Sequence, residues 1–126
     1  MTQTNILKDK EAVKNLVRSM MELISEVKIK ESLLLLKPYI FKPKYEFDSL
    51  LETINIPTSI IEQKFGKTIG FELIEIQEIG KSLMLIIYIQ KCEKDLIRWH
   101  FYFCKPYNTW LFNSFHGDDK IKMILG

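Results

Sequence analysis

From Thr68 onward the hydrophobic period of the chain changes from about 3.6 to 2. Four β-rich runs follow, at 69–79 (IGFELIEIQEI), 82–92 (SLMLIIYIQKC), 96–105 (LIRWHFYFCK) and 109–116 (TWLFNSFH). Gly80-Lys81, Glu93-Lys94-Asp95 and Pro106-Tyr107-Asn108 join them. Connections this short cannot carry a crossover, so each is a hairpin and the sheet is an antiparallel meander.

The first half reads as helix. Val13, Leu16, Val17, Met20, Leu23, Ile24 and Val27 recur at three- and four-residue steps, with Asp9 placed as an N-cap. A shorter helix over Lys30–Leu36 ends before Pro38, because a residue preceding proline avoids the helical region. The segment KPYIFKPKY reads as an extended connector, and Ser49-Leu-Leu-Glu52 has capping-box spacing. Pro57 restarts a helix that Gly66 ends. Helices first and strands afterwards predict one α+β domain over residues 1–126, with the helices packed on one sheet face. A chain of 126 residues supports a single core of this kind without metal or disulfides.

Several function classes are disfavoured by composition. A net charge of +2 with dispersed lysines offers no clustered phosphate-binding surface, so no nucleic-acid partner is expected. The longest apolar run, LMLIIYI at 83–89, is too short for a bilayer, so no membrane partner is expected either. The N-terminal residues lack the apolar stretch of a signal peptide, which predicts a cytoplasmic protein, or a secreted one whose leader has been removed. Cys92 falls beside a turn and Cys104 about eight positions along the next strand, too far apart for a disulfide. No Cys/His ligand spacing points to a metal, and nothing points to a cofactor.

The densest aromatic stretch, RWHFYFCKPYNTWLFNSFH at 98–116, sorts into rows once it is placed on strands. A three-residue turn at 93–95 sets Trp99 across from Ile89, Phe101 from Ile87 and Phe103 from Leu85, collecting one wholly apolar face for the helices to cover. A two-residue turn would put the aromatic row against Tyr88 and Gln90 instead, which fits the apolar pattern less well. With the three-residue turn, the opposite face carries Tyr88, Gln90, Arg98, His100 and Tyr102, a mixture suited to a protein contact or a ligand pocket. The fourth strand is apolar in both of its rows, with Trp110, Phe112, Ser114 and His116 in one and Leu111, Asn113 and Phe115 in the other. That pattern predicts a second subunit on the outer side.

WHFYFCKP at 99–106, WLF at 110–112 and FHGDD at 115–119 resemble the W-x-F-x-F-x-K-P turn, the strand-opening tryptophan and the closing F-x-x-D of small bacterial members of the nuclear transport factor 2-like superfamily. With the helix order, the resemblance runs from about Lys8 to Leu125. It implies a curved four-stranded sheet forming a cone with the helices, a small apolar ligand in the cone, and dimerisation through the sheet's outer face. The superfamily also holds isomerases, dehydratases and accessory subunits, so fold alone leaves activity open. No strand carries the aspartate that an isomerase of this fold uses.

Three functions follow. The first is a non-enzymatic ligand-binding or association domain that homodimerises through its sheet. Its ligand-binding or interface candidates are Tyr88, Gln90, Arg98, His100, Tyr102, Trp110 and His116. The second is a small-molecule isomerase or lyase, with His100 as acid–base and Tyr88 and Tyr102 as donors. The third is an accessory or immunity-type partner of another protein. Asp118 and Asp119 read as caps of a C-terminal helix, KIKMIL.

Overall fold

The computed structural model describes residues 6–40, 46–49 and 58–118. Helix α1 spans Lys10–Ser25, and the Asp9 carboxylate caps it by accepting the Ala12 N–H at 2.8 Å. Val13, Val17, Met20, Met21 and Ile24 form its buried stripe. The helix stops short of Val27, which holds φ +60 where glycine is usual; its N–H and that of Lys28 close the last turn on the Ile24 and Leu23 carbonyls. Helix α2 follows over Ile29–Leu34. Part of the expected connector is a 3-10 turn, Lys37–Tyr39, with Pro38 inside it.

Residues 46–49 form a helical turn that buries Phe47, which places this turn upstream of the capping box read at Ser49. The rest of that capping box, Pro57, Asp119 and KIKMIL lie outside the described residues. Helix α3, Thr58–Phe65, ends at Gly66 with φ +81, as the glycine placement predicts.

Strands β1 (Thr68–Ile79), β2 (Leu83–Cys92), β3 (Leu96–Cys104) and β4 (Leu111–Asp118) form one antiparallel sheet in the order β1-β2-β3-β4. An α+β fold with helices preceding a four-stranded meander is therefore what the chain adopts. The free side of β4 is bridged by Leu7 at Trp110 and by Ile40 at Phe112.

The register of the central hairpin differs from expectation. Trp99 pairs with Tyr88, Phe101 with Ile86 and Phe103 with Met84, while His100 pairs with Ile87 and Tyr102 with Leu85. The Cys92 N–H reaches the Asp95 carbonyl at 3.0 Å, so the turn proper is Glu93-Lys94, two residues rather than three. Two causes are visible. The end of α3 clamps this turn, with the Glu93 and Lys94 N–H groups donating to the Lys67 and Phe65 carbonyls at 3.0 and 2.8 Å. Gln90, which the apolar pattern assigns to the surface, is satisfied inside. Its amide nitrogen donates to Thr68 Oγ1 at 2.8 Å and the Ile24 carbonyl at 3.3 Å, and its oxygen accepts the Trp99 indole N–H at 3.0 Å.

The covered face therefore carries Met84, Ile86, Tyr88 and Gln90 beside Ile97, Trp99, Phe101 and Phe103, and these apolar residues join the α1 stripe in one core. A bulge in β4 completes the correction. Tyr102 pairs with Ser114 but Phe103 with Phe112, so Asn113 is an extra residue that reverses the alternation. Phe112 and Phe115 thus share the inner face, and Ser114 and His116 the outer one. The two apolar rows of β4 need no second subunit to explain them. Gly117 is a strand residue rather than a turn: the Trp99 ring lies so close that an added Cβ would stand 2.7 Å from Trp99 Cζ3.

Candidate functional site

The corrected register divides the expected site between two faces. Tyr88 lies inside at 7% exposure, its ring 5.9 Å from Phe71, and burial raises its phenol pKa while the Arg18 charge works against that rise. Gln90 and Trp110 are also core residues, both at 2% exposure. Arg98, His100, Tyr102 and His116 lie on the outer face, where Arg98 is buried, His100 and Tyr102 are partly buried and His116 is exposed. A His100 acid–base flanked by both Tyr88 and Tyr102 therefore has no single site, because the backbone of the sheet stands between Tyr88 and the other two.

What the outer face assembles is a stack of rings. His100 and His116 sit directly across β3 and β4, with ring centroids 4.5 Å apart and planes 16° from parallel. Tyr102 extends the stack at 6.2 Å from His100 and 6.5 Å from His116. Both ring nitrogens of His100 are buried in this stack, whereas His116 is exposed.

Beside the rings runs an aliphatic row that the expected register had placed in the core. Leu85, Ile87 and Ile89 are partly exposed on β2, flanked by Leu83 at 46% and Ile79 at 50% exposure. Leu85, Ile87 and Ile89 do not join the core cluster. In β1 a second bulge, between Leu73 and Glu75, puts Ile76 on the inner face against the core and Glu72 and Glu75 outward, while Leu73 stays 44% exposed. Register then aligns the outer face in cross-sheet rows. One is Glu75–Ile87–His100–His116 and the next is Gln77–Leu85–Tyr102–Ser114.

On the inner face, Phe101, Phe103, Met20 and Met21 have 0% exposure and touch no water-sized void. Among the described residues no group of three or more His, Cys, Asp or Glu side chains is arranged to hold a metal ion, and no helix is long and apolar enough to cross a membrane. Both cysteines are free thiols on opposite faces, and burial raises the pKa of each; at Cys92 a Thr68 hydrogen bond acts the other way. Neither thiol has the lowered pKa of a nucleophile.

Hydrophobic alternation identified the strands of this site but not its membership. The aliphatic row, Glu75 and Gly117 are not legible in the alternation, because one turn length and two bulges decide which face each occupies. The chain matches no known family model, no curated protein and no solved structure.

Proposed function

We propose that the protein is an association domain of the nuclear transport factor 2-like type, which homodimerises through the outer face of its sheet. The observation that carries the reading is the row Leu83, Leu85, Ile87 and Ile89, left partly exposed outside the core and bordered by Tyr102 and the histidine stack. An aliphatic centre edged by aromatic and charged side chains is the composition of a protein interface. Four strands about 4.8 Å apart and about 30 Å long give a footprint of roughly 600 Å². That is near the lower limit for a specific contact, so a reversible dimer fits better than an obligate one.

The filled centre of the inner face favours association over a ligand held between sheet and helices. A reducing cytoplasm suits the two free thiols.

Substitution of Ile87 by Lys tests the reading. Ile87 is at the middle of the outer row, so the variant keeps its helical and sheet circular dichroism while its light-scattering mass falls to that of a monomer. A variant that folds and keeps the wild-type dimer removes the outer face as the interface. A wild-type protein that binds only a different chain on this face supports the accessory-partner reading instead.

A further inference from the structure

We infer that the two copies meet at one end of the outer face, with the cross-sheet row Ile79–Leu83–Cys104–Leu111 of one lying on the same row of the other. The inference rests on the dimer reading above and places its contact.

The outer face changes character along the strands. Register sets its side chains in four cross-sheet rows. At the end where β1 turns into β2 and β3 into β4 lies Ile79–Leu83–Cys104–Leu111, which is wholly apolar. Ile79 is 50% and Leu83 46% exposed, Cys104 and Leu111 are partly exposed, and none of them belongs to the core cluster or packs against it. Next comes Gln77–Leu85–Tyr102–Ser114, polar in part but without charge. Glu75 and the two histidines enter in the third row. In the fourth, Glu72 already has the Lys91 ammonium 3.6 Å away and Arg98 is buried, so this end offers a partner little. The exposed apolar surface of the face therefore gathers at the Leu83 end rather than at its middle.

A contact between identical copies must accept itself, because a twofold axis brings the patch against its own image. A row without charge does so whichever way the axis runs. An axis along the strands sets Leu83 over the partner's Cys104, and an axis across them sets each residue over its own counterpart. In both cases apolar meets apolar. Lys105, which follows Cys104, turns to the other face, where its ammonium stands 5.4 Å from the centre of the Trp110 ring. Tyr107, 87% exposed in the loop that leaves the row, adds aromatic surface at the same end. Facing sheets stand about 10 Å apart. The Cys104 thiols of two copies joined row on row then come within the span of a short bis-maleimide.

Lysine substitutions in the full chain test the placement, read by sedimentation equilibrium. Leu83→Lys and Leu111→Lys each put a charge at the centre of the contact, and each raises the dimer Kd about ten-fold or more. Ile89→Lys, in the fourth row, changes it less than about three-fold. Leu83 and Leu111 stand outside the core, so folding survives, and circular dichroism verifies it. Cross-linking is the second measurement and leaves the row intact. The bis-maleimide joins wild-type chains into covalent dimers. Cys92→Ser keeps this product, because Cys92 is buried on the opposite face, and Cys104→Ser abolishes it.

An Ile89→Lys effect as large as that of Leu83→Lys overturns the inference. So does a wild-type dimer that the bis-maleimide leaves unjoined, or one still joined in Cys104→Ser. In each of these cases the loss of dimer in Ile87→Lys shows that the sheet-face reading still stands. A wild-type chain that is monomeric throughout removes both.

Discussion

The two faces of the sheet are built from nearly the same hydrophobicity and do opposite things. The inner face is aromatic, holding Trp99, Phe101 and Phe103, and it also takes in a tyrosine and a glutamine. The outer face is richer in aliphatic residues, with Leu83, Leu85, Ile87 and Ile89, and yet these stay partly exposed, although Arg98 on the same face is buried. The difference shows that the helices chose the face whose polar groups could be satisfied. Gln90 bonds to Thr68, to the last turn of α1 and to Trp99, so burying it costs little. The outer face carries two histidines and an arginine, and β1 adds glutamates beside them. Arg98 and the ring nitrogens of His100 are already buried there, so what stays exposed on this face is the aliphatic row, His116 and the glutamates.

Truncating one large apolar side chain on each face puts this contrast under the most strain. Phe101→Ala empties a fully buried site and is expected to cost about 3–5 kcal/mol of folding stability. Ile87→Ala, one strand away on the outer face, is expected to cost the monomer about 1 kcal/mol or less. Urea unfolding of both variants measures the contrast; equal losses would mean that the outer row is also core.

Gly117→Ala comes next. The added methyl meets the Trp99 ring at 2.7 Å, and relief requires the indole to leave its place beside Phe115, a loss of roughly 1–3 kcal/mol. Trp99 fluorescence should shift with it. Gln90→Leu preserves volume but strips the acceptor from the buried Trp99 N–H, at roughly 1–3 kcal/mol by the same unfolding assay. A neutral or stabilising result would mean that the glutamine is tolerated inside rather than needed there.

The smallest effect is expected in alkali. Burial raises the pKa values of Cys92, Cys104 and Tyr88, so the folded state holds these protons more firmly than the unfolded chain. Their contribution is complete below the unfolded values and declines as pH rises through the folded ones. Stability should therefore fall from about pH 9 upward, and replacing both cysteines with alanine should shallow that slope.

The strands, the hairpin connections and the α1 stripe were legible because periodicity reports them directly, and the observed strands lie within two residues of their expected limits. The face assignments were not. A one-residue difference in the 93–95 turn moves Tyr88 and Gln90 inside and Leu85 and Ile87 outside, and hydropathy ranks the two outcomes wrongly because it treats Gln90 as a surface residue. Asn113 is invisible for a similar reason. A bulge adds one residue without changing composition, so Phe112 and Phe115 read as opposite rows when they share a face. With Cys104 opposite Leu111, strict alternation without this bulge would set His116 across from Trp99 rather than His100, so the stacking of the two histidines depends on it.

Sedimentation equilibrium of the wild-type chain over a wide concentration range tests the central claim, that the outer face is an interface between copies, most directly. A reversible rise from the 15.0 kDa monomer to twice that mass and no further is expected, because the contact closes on itself. A mass that stays at 15.0 kDa at every concentration, with the fold intact, would contradict it.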